Sequence, residues 1–321
     1  MLSDSVYDGQ VKAFRDSSSE SGLPSLGHYI KKVLLVSDND AFNRLYEFLG
    51  QDGINEGLHE KGYQKLRIVH RLQLPRSREQ NRRTNPIVFV KRIKDTVAVP
   101  DFKRIGVAPR YDTVYSQKML YNAKEYKPDS AILLGKGEMM DDGKIVYKPK
   151  DFTYKNYYPL DEQQGILRAV LFPESVPKRK RFDLSDEDYR FVYQYMSQFP
   201  GETLFPKYDT SYHDSYVKFF MFGDSPKAIS KHIRVFNKVG DAYGFAIDNA
   251  YVVDFEKKVE FMLSACIYAN EDEVFNDDVY ELDTIGYPFL ANLGRVVYDM
   301  EVKRERKRVP DLGWFQLRYD K

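Results

Sequence analysis

Two short motifs, far apart in the chain, carry side chains that can move protons. A Ser-Asp-Asn motif occupies residues 37–39, and a Lys-Val-Gly motif occupies residues 238–240. Acyl transfer to serine uses hydroxyl, carboxamide and amine groups to relay protons and to hold a substrate. Each motif also has a purely structural interpretation, since Ser, Asp and Asn favour helix N-caps, and lysine and glycine suit a strand that bends at a sheet edge. Taken singly, neither motif decides between the two interpretations.

The elements around the first motif are predicted to be helices. Apolar residues from Leu26 to Leu34 fall on one helical face, and the pattern stops at the motif. Further elements are predicted after it: a helix at 40–49 that ends at Gly50, a short helix at 54–61 and a strand at 66–72. Residues 1–85 are therefore predicted to form a helical part that holds the Ser-Asp-Asn motif between two helices.

The last third of the chain predicts an antiparallel sheet with a helix across one face. Strand-like runs at 233–237, 243–255 and 259–270 follow one another, and a final helix carries an apolar stripe from Phe289 to Met300. Residues 206–321 form this part, which places the Lys-Val-Gly motif on a strand. The single cysteine, Cys266, lies in the third run and is predicted to be a small buried core residue.

The segment between these parts, residues 86–205, has mixed patterns. It is predicted to hold short strands and then two helices, at 86–93, 96–99, 141–147, 161–172 and 186–199. The last helix opens with Ser185 and Asp188 at the spacing of a capping box. We predict that the three parts form one compact unit of the α+β class.

Together, and in this order, the two motifs resemble those of the penicillin-recognising serine hydrolases, the class A β-lactamases and penicillin-binding proteins. That family carries Ser-x-x-Lys, then Ser-Asp-Asn between helices, then Lys-Thr-Gly or Lys-Ser-Gly on a sheet strand. The resemblance covers residues 23–72 and 232–302 and implies an α/β/α sandwich with a helical part, the β-lactamase/transpeptidase-like fold. Ser37 and Lys238 are 201 residues apart, roughly twice the separation in a compact class A enzyme. Residues 86–205 would then hold an insertion, as in a subgroup of larger serine hydrolases.

The resemblance implies a role for each site residue. Ser37 would relay a proton to the leaving amine, and Asn39 would hold the substrate's amide and the base lysine of the family. Lys238 would place a positive charge beside Ser37 and the substrate's carboxylate. Gly240 would let the substrate lie against the strand, and the backbone N–H of Asp241 would be one donor of the oxyanion hole. These roles describe an acyl-enzyme mechanism on β-lactams or cell-wall peptides.

Two departures from the family pattern affect this expectation. Val239 stands where the family has Ser or Thr, which removes a hydroxyl that contacts the substrate's carboxylate. No Ser-x-x-Lys precedes Ser37, although the resemblance places it roughly 55–60 residues upstream of that serine. We therefore expect a chain truncated before its N-terminal strands and nucleophile helix, and inactive as given. The helices at 26–36 and 40–49 and the 233–270 sheet should then expose apolar side chains along a groove about one helix, roughly 10 Å, wide.

Other candidate residues fit the family less well. Two later Ser-x-x-Lys matches follow the Ser-Asp-Asn motif, which violates the family order, and we interpret both as chance. They are Ser175 with Lys178 and, the better candidate, Ser215 with Lys218. Glu79 lies at a plausible distance after Ser37 to activate a deacylating water, as a glutamate does in class A enzymes, and the alternative for Glu79 is a plain surface residue. Without such a base the acyl-enzyme would persist, which describes a penicillin-binding peptidase.

Composition argues against several other classes. The formal charge of +1 provides no global field for nucleic acid or an anionic membrane. The apolar runs are too short to span a bilayer, and the polar residues 1–25 do not resemble a signal peptide, so a periplasmic or secreted location is implied only for the full-length family member.

One cysteine permits no intrachain disulfide. We expect no metal or other cofactor, since the five histidines lack metal-ligand spacing and residues 270–278 lack the glycine and glutamate of a calcium loop.

Three functions remain open at this point. The first is an acyl-enzyme serine hydrolase, a monomer that acts on a small β-lactam or a peptidoglycan peptide. The second is a non-catalytic relative that keeps the cleft and binds a ligand without chemistry. The third is an unrelated α+β domain in which both motifs are accidents. The first two require Ser37 and Lys238 to share a cleft, whereas the third leaves them far apart.

Overall fold

The computed structural model describes residues 1–6, 11–93 and 110–320. Helices and mostly antiparallel strands alternate along the chain, which is the predicted α+β class. The helices are α1 (Leu26–Val36), α2 (Asn39–Glu60), α3 (Arg78–Asn81), α4 (Leu160–Leu171), α5 (Asp186–Ser197), α6 (Phe219–Phe222) and α7 (Tyr287–Lys303). The strands are β1 (Leu2–Ser3), β2 (Ile87–Arg92), β3 (Tyr111–Gln117), β4 (Leu133–Leu134), β5 (Gly137–Met139), β6 (Ile145–Val146), β7 (Lys150–Asp151), β8 (Ile233–Ala242), β9 (Phe245–Asp254), β10 (Val259–Tyr268) and β11 (Val274–Phe275).

Strands β8, β9 and β10 form the main sheet and carry the Lys-Val-Gly motif. The strand order is β10-β9-β8, and both pairs are antiparallel. Tyr243 and Gly244 join β8 to β9 with φ values of 56° and 78°, the pair of positive φ angles that a two-residue hairpin turn needs. Lys238 lies opposite Asn249 in the β8–β9 register. The hairpin therefore fixes the side of the sheet toward which the lysine points.

Both faces of the main sheet are covered by other elements. On one face, Val235 packs in a cluster with Phe220 of α6 and Leu290 of α7. On the opposite face, Phe236 packs in a cluster with Tyr193 of α5 and with residues of α4 and the C-terminal segment. Successive residues of β8 thus reach different clusters, as the two-residue period of a strand requires when both faces are buried.

This coverage shows that the expected apolar groove is wrong. The side chains of β8 and β9 that face α6 and α7 are buried, because residues 217–221 and α7 occupy that face. The apolar faces of α1 and α2 are packed as well, since Tyr29 and Leu45 join a cluster with Ile87 of β2. Leu49, at the end of the first segment of α2, is exposed.

The first two helices meet at the Ser-Asp-Asn motif. Helix α1 ends at Ser37, and α2 begins with Asp38 as its N-cap. Element α2 consists of two helical segments separated by Gly50, whose φ of 70° and ψ of 159° are not helical. The helix end predicted at Gly50 is therefore confirmed, because glycine adopts the positive φ without steric cost, and the second helix begins directly after it instead of at residue 54.

Two further local predictions are wrong. Residues 66–72 form no strand, and a single bridge joins Arg67 to Tyr157. Cys266 is exposed instead of buried. Its neighbours Ala265 and Ile267 pack against the covered face of the sheet, so the strand alternation turns the thiol to the opposite side. The strand predicted at 96–99 lies outside the described residues.

Smaller sheets and the remaining helices tie the segments of the chain together. Strand β1 pairs with β2, and β11 pairs in parallel with β5, so the first and the third predicted parts each share a sheet with the middle part. Helix α5 opens with the predicted capping box of Ser185 and Asp188. No helix in the described part of the chain is long and apolar enough to cross a membrane.

Gly294 determines how closely α7 approaches α6. A Cβ at this position would lie 2.5 Å from Met221 N and 2.9 Å from Phe220 Cβ. We expect Gly294→Ala to lower the free energy of unfolding, measured in urea, by about 1–3 kcal/mol, because the backbone must shift to relieve the contact. Gly57→Ala is the matched control, since nothing lies within 4 Å of its added Cβ. That control should raise stability by up to about 1 kcal/mol, and an equal loss in both variants would contradict the packing argument.

Candidate functional site

Ser37 and Lys238 meet although 201 residues separate them. Lys238 Nζ donates one hydrogen bond to Ser37 Oγ at 2.7 Å and another to Val239 O at 2.7 Å. The contact joins the end of α1 to the edge strand β8. The proximity predicted from the order of the two motifs is therefore observed, and the hypothesis of two unrelated motifs, which required a large separation, is contradicted.

The backbone of Ser37 presents its hydroxyl to the lysine. Ser37 has φ 58° and ψ 39°, a left-handed conformation that is uncommon outside glycine. Such residues cost on the order of 1 kcal/mol and cluster at functional sites. The N-cap of α2 is Asp38, whose Oδ1 accepts a hydrogen bond from Ala41 N at 2.7 Å. The capping interpretation of the motif thus applies to Asp38 and leaves the Ser37 hydroxyl available to Lys238.

Burial adjusts the proton affinity of the Lys238 amine. Removal from water disfavours the charged form and lowers the pKa of Lys238 to about 8, although the carboxylates of Asp248 and Asp241 oppose this shift. At neutral pH the amine is still mostly protonated and donates to Ser37. An amine with a pKa this close to neutrality can give up and regain a proton during a reaction, as acid–base catalysis requires.

A buried polar network supports the strand from which Lys238 extends. The fully buried Lys218 amine donates to two backbone carbonyls and to Asn237 Oδ1, at distances of 2.7–2.9 Å. The Asn237 amide nitrogen donates in turn to Asp248 Oδ1 at 2.9 Å. Asn237 precedes Lys238 in β8, so this network holds the backbone on which the candidate site depends.

Burial also shifts the two ionisable groups of the network toward their neutral forms. It raises the pKa of Asp248 to about 6 and lowers the pKa of Lys218 to about 7. The backbone N–H groups of Phe219 and Phe220 donate to Asp248 and partly offset its burial. Asn237 and Asp248 were not predicted from the sequence as part of the site. The available signal was a polar residue inside each of two apolar strand runs, because a buried polar residue needs a partner.

The space in front of the Ser37–Lys238 pair is closed. Side chains of α1 and Val217 border a gap around the pair that is too narrow for a water molecule. Val239, the motif residue that departs from the family, is buried in the core of the sheet. A substrate can therefore reach Ser37 Oγ only after the residues around Val217 move.

The other residues named by the resemblance are only partly assembled around the pair. Asn39 is the first residue of α2, and its carboxamide makes no hydrogen bond to the pair among the described residues. Gly240 lies opposite Ile247 in the β8–β9 register. Asp241 is exposed, and its carboxylate accepts a hydrogen bond from Tyr287 OH at 3.2 Å.

Glu79 lies in the short helix α3. It is exposed, forms an ion pair with Arg83 at 2.8 Å and accepts a hydrogen bond from Tyr121 OH at 3.4 Å. Within the described ranges, no hydrogen bond joins Glu79 to Ser37 or Lys238. These contacts favour the surface-residue alternative over a role as deacylating base.

Neither later Ser-x-x-Lys match forms a serine–lysine pair. Ser215 Oγ donates to Ser225 O at 3.1 Å and lies 2.9 Å from His213 Nδ1. The Lys218 amine is instead engaged in the buried network. Ser175 is exposed, and its hydroxyl donates to a carbonyl of its own turn. The interpretation of both matches as chance agrees with these contacts.

The fold and the pair define a class: an α+β protein that holds a serine hydroxyl against a lysine amine, between a helical part and an antiparallel sheet. Residues 4–97 match the family model described as the Beta-lactamase enzyme family, and this segment contains α1, α2 and the Ser-Asp-Asn motif. The match supports a serine hydrolase of the β-lactamase and penicillin-binding-protein-like family. No curated protein and no solved structure matches the chain.

Proposed function

We propose that the Ser37–Lys238 pair is the proton-relay and substrate-binding part of an acyl-transfer site, in a serine hydrolase that acts on β-lactams or cell-wall peptides. The observation that carries this proposal is the 2.7 Å hydrogen bond from Lys238 Nζ to Ser37 Oγ. The bond joins the two motifs whose order suggested the family. A monomer in the periplasm or outside the cell is part of the same proposal, because cell-wall peptides lie there.

The pair is suited to relaying a proton during acyl transfer. Ser37 Oγ would give its proton to the leaving nitrogen as the C–N bond of the substrate breaks, and the Lys238 ammonium would replace that proton through the hydrogen bond it already makes. The proton released by the attacking hydroxyl returns the Lys238 amine to its ammonium form, so the relay neither gains nor loses a proton overall. The pKa of about 8 for Lys238 supports transfer in both directions.

The residues beside the pair would hold the substrate. Lys238 offers a positive charge to a carboxylate, the backbone N–H of Asp241 offers a donor to the oxyanion, and Asn39 offers a carboxamide to the substrate's amide. Gly240 has no side chain to obstruct a substrate that lies along β8. Val239 supplies no hydroxyl, so recognition of a carboxylate would depend on Lys238.

The described residues contain no activated attacking serine beside the Ser37–Lys238 pair. No Ser-x-x-Lys precedes the Ser-Asp-Asn motif in the 321 residues, and neither later match pairs a serine with a lysine. We propose that these residues alone form no acyl-enzyme and that acylation needs a nucleophile from outside residues 1–321. Such a segment would have to pack elsewhere than in the groove expected for it, because the described residues fill that groove.

Residues 1–321 are expected to give no hydrolysis of nitrocefin and no covalent adduct with benzylpenicillin, because acylation needs an activated nucleophile. Absorbance and intact-protein mass spectrometry measure the two results. The product of the whole reading frame that encodes these residues should form an adduct. In that product, Ser37→Ala and Lys238→Ala should each slow acylation by about 100-fold or more. Lys178→Ala, at an exposed lysine, is the matched control and should leave the rate unchanged.

Two other results would revise this proposal. An adduct at Ser215 in residues 1–321 would make Ser215 and Lys218 the catalytic pair. If Lys238→Ala acylates at the parent rate, the pair has no part in the reaction.

A non-catalytic relative that binds a ligand is the second candidate function, and it is favoured because neither later Ser-x-x-Lys match pairs a serine with a lysine among the described residues. Ligand binding replaces acyl transfer as the proposed function if the product of the whole reading frame forms no adduct but binds a β-lactam reversibly, and if Lys238→Ala abolishes that binding. An adduct that forms and persists would describe a penicillin-binding peptidase. The surface contacts of Glu79 favour that outcome over a β-lactamase, which needs a base for deacylation.

A further inference from the structure

A second cleft lies along the C-terminal half of α2, away from the Ser37–Lys238 pair. It has a volume of about 230 Å³ and is bordered by α2, the loop at residues 69–82 and the segments at 125–126 and 151–155. Gln51 of α2 borders this cleft about twelve residues after Asn39, a distance on the order of 18 Å along a helix. The residues that line the cleft are separate from those of the proposed acyl-transfer site.

Positive side chains dominate the lining of this cleft. Its charged residues are the cationic Arg76, Arg78, Arg82 and Lys155 and the acidic Glu125 and Asp151. Arg78 forms an ion pair with Glu125. In the part of the chain that the structure describes, the other three cations form no ion pair. The cleft therefore carries excess positive charge that an anionic ligand would neutralise.

Two tyrosines add further means of recognition. The guanidinium carbon of Arg78 lies 3.5 Å from the ring centroid of Tyr154, a stacked arrangement that holds the arginine at the wall of the cleft. Tyr126 is 9% exposed, and its buried hydroxyl has no well-formed hydrogen bond among the described residues. Burial and the nearby carboxylate of Asp52 raise the pKa of Tyr126. The hydroxyl thus stays protonated, with the Asp52 carboxylate within reach as an acceptor but no well-formed hydrogen bond to it, so an anion in the cleft would compete with Asp52 for this donor.

His70 borders the same cleft without adding a charge. Its Nε2 accepts a hydrogen bond from Asn156 N at 3.0 Å, and its Nδ1 lies 2.6 Å from Arg71 O. Burial lowers the pKa of His70, and the neighbouring Lys155 acts in the same direction. The positive charge of the cleft therefore comes from its arginine and lysine side chains.

We propose that this cleft binds a small organic anion through its phosphate or carboxylate group. The guanidinium groups of Arg76 and Arg82 and the Lys155 amine would neutralise the anion, and arginine offers two parallel donors to an oxyanion. The Tyr126 hydroxyl would donate to a further oxygen. The volume lies below the roughly 300–1,000 Å³ of sites for drug-sized ligands, so the ligand is the size of a small phosphate monoester or dicarboxylate.

Isothermal titration calorimetry with phenyl phosphate, inorganic phosphate and succinate tests this proposal on residues 1–321 at fixed ionic strength. We expect saturable binding of at least one probe, and the preferred probe separates a phosphate ligand from a carboxylate ligand. Arg82→Gln and Lys155→Met should each weaken binding by about fivefold or more. The matched controls, Arg179→Gln and Lys178→Met, replace exposed cations of another turn and should leave the affinity unchanged.

A third variant tests whether the Tyr126 hydroxyl contributes to binding, and its unfolding midpoint shows whether the variant is folded. Tyr126→Phe removes only the hydroxyl and should weaken binding by about threefold, with a thermal unfolding midpoint by circular dichroism no lower than that of the parent. If Arg82→Gln unfolds the protein, Lys155→Met still tests the proposal. The Lys155 amine makes no hydrogen bond within the described residues, so its removal breaks none. Absence of saturable binding for all three probes, or an equal loss in cleft and control variants, would overturn the proposal.

Discussion

Replacing Glu47 by alanine is expected to lower the free energy of unfolding by about 3–5 kcal/mol. Glu47 is completely buried and accepts hydrogen bonds from the guanidinium of Arg71 and from the backbone N–H of Asn85. Arg71 is itself buried, so the substitution would leave its guanidinium in a low-dielectric environment without a carboxylate. The loss is large because the desolvation of Arg71 is then no longer offset.

Equilibrium unfolding in guanidinium chloride, followed by circular dichroism, measures this effect. Glu79→Ala is the matched control, because Glu79 and Arg83 form an ion pair in which both side chains are about half exposed. An exposed pair of this kind is worth less than about 1 kcal/mol. If the two variants lose the same stability, the buried pair contributes no more than a surface pair and the argument is wrong.

The Glu47–Arg71 pair also illustrates what the sequence could not predict. The two residues are 24 apart, and Arg71 lies in a segment whose apolar pattern predicted a strand. Hydrophobic periodicity assigns local elements, but it carries no information on which buried charges meet once the elements pack. The same limit applies to Lys218, Asn237 and Asp248, which come from separate elements and form one network.

The helices and strands with a clear periodicity of apolar residues were the predictable part of the fold. The helices α1, α5 and α7 and the hairpins of the main sheet follow directly from their apolar spacing. The helix end predicted at Gly50 is confirmed, because Gly50 leaves the helical conformation there, with φ 70° and ψ 159°. The burial predicted for Cys266 is wrong because an apolar run does not reveal which side of a strand is left uncovered.

The contact between Ser37 and Lys238 was predictable for a different reason. Neither helical nor strand spacing connects residues 201 apart, and each motif alone has a structural explanation. The resemblance to a family supplied the order of the motifs, and that order implied a shared cleft. The closure of the gap by Val217 had no such signal, because residues 206–222 have no counterpart in the motifs that carry the resemblance.

Lys218→Met is expected to destabilise the chain by about 3–5 kcal/mol at a pH of about 6.5, where Lys218 is mostly protonated and Asp248 is mostly ionised. Methionine keeps the apolar stem of the side chain but leaves Asn237 Oδ1 and two backbone carbonyls without their present donor. The fully buried Asp248 loses a nearby cation that lowers its pKa. Lys178→Met, at an exposed lysine, is the matched control and should change stability by less than about 0.5 kcal/mol.

The cost of Lys218→Met should also depend on pH, because Asp248 titrates near neutrality. Burial raises the pKa of Asp248 from 3.8 to about 6, so in this range the folded state holds a proton that the unfolded state releases. The resulting stabilisation is complete below about pH 4 and is lost as the pH rises through about 6. Without the Lys218 ammonium the ionised carboxylate is less well compensated, so the variant should lose more stability than the parent between about pH 5 and 6.5.

Adding Asp248→Asn to the Lys218→Met variant separates the charge effect from the lost hydrogen bonds. The double variant should lose the extra pH dependence and recover part of the stability, because no uncompensated carboxylate remains in the core. The hydrogen bonds that Lys218 gave to the two carbonyls stay lost, so recovery should be incomplete. If Lys218→Met costs the same stability at about pH 5 and about pH 6.5, or if the losses from the two substitutions are additive, Lys218 and Asp248 are not coupled. Asn237 alone would then support the strand that carries Lys238.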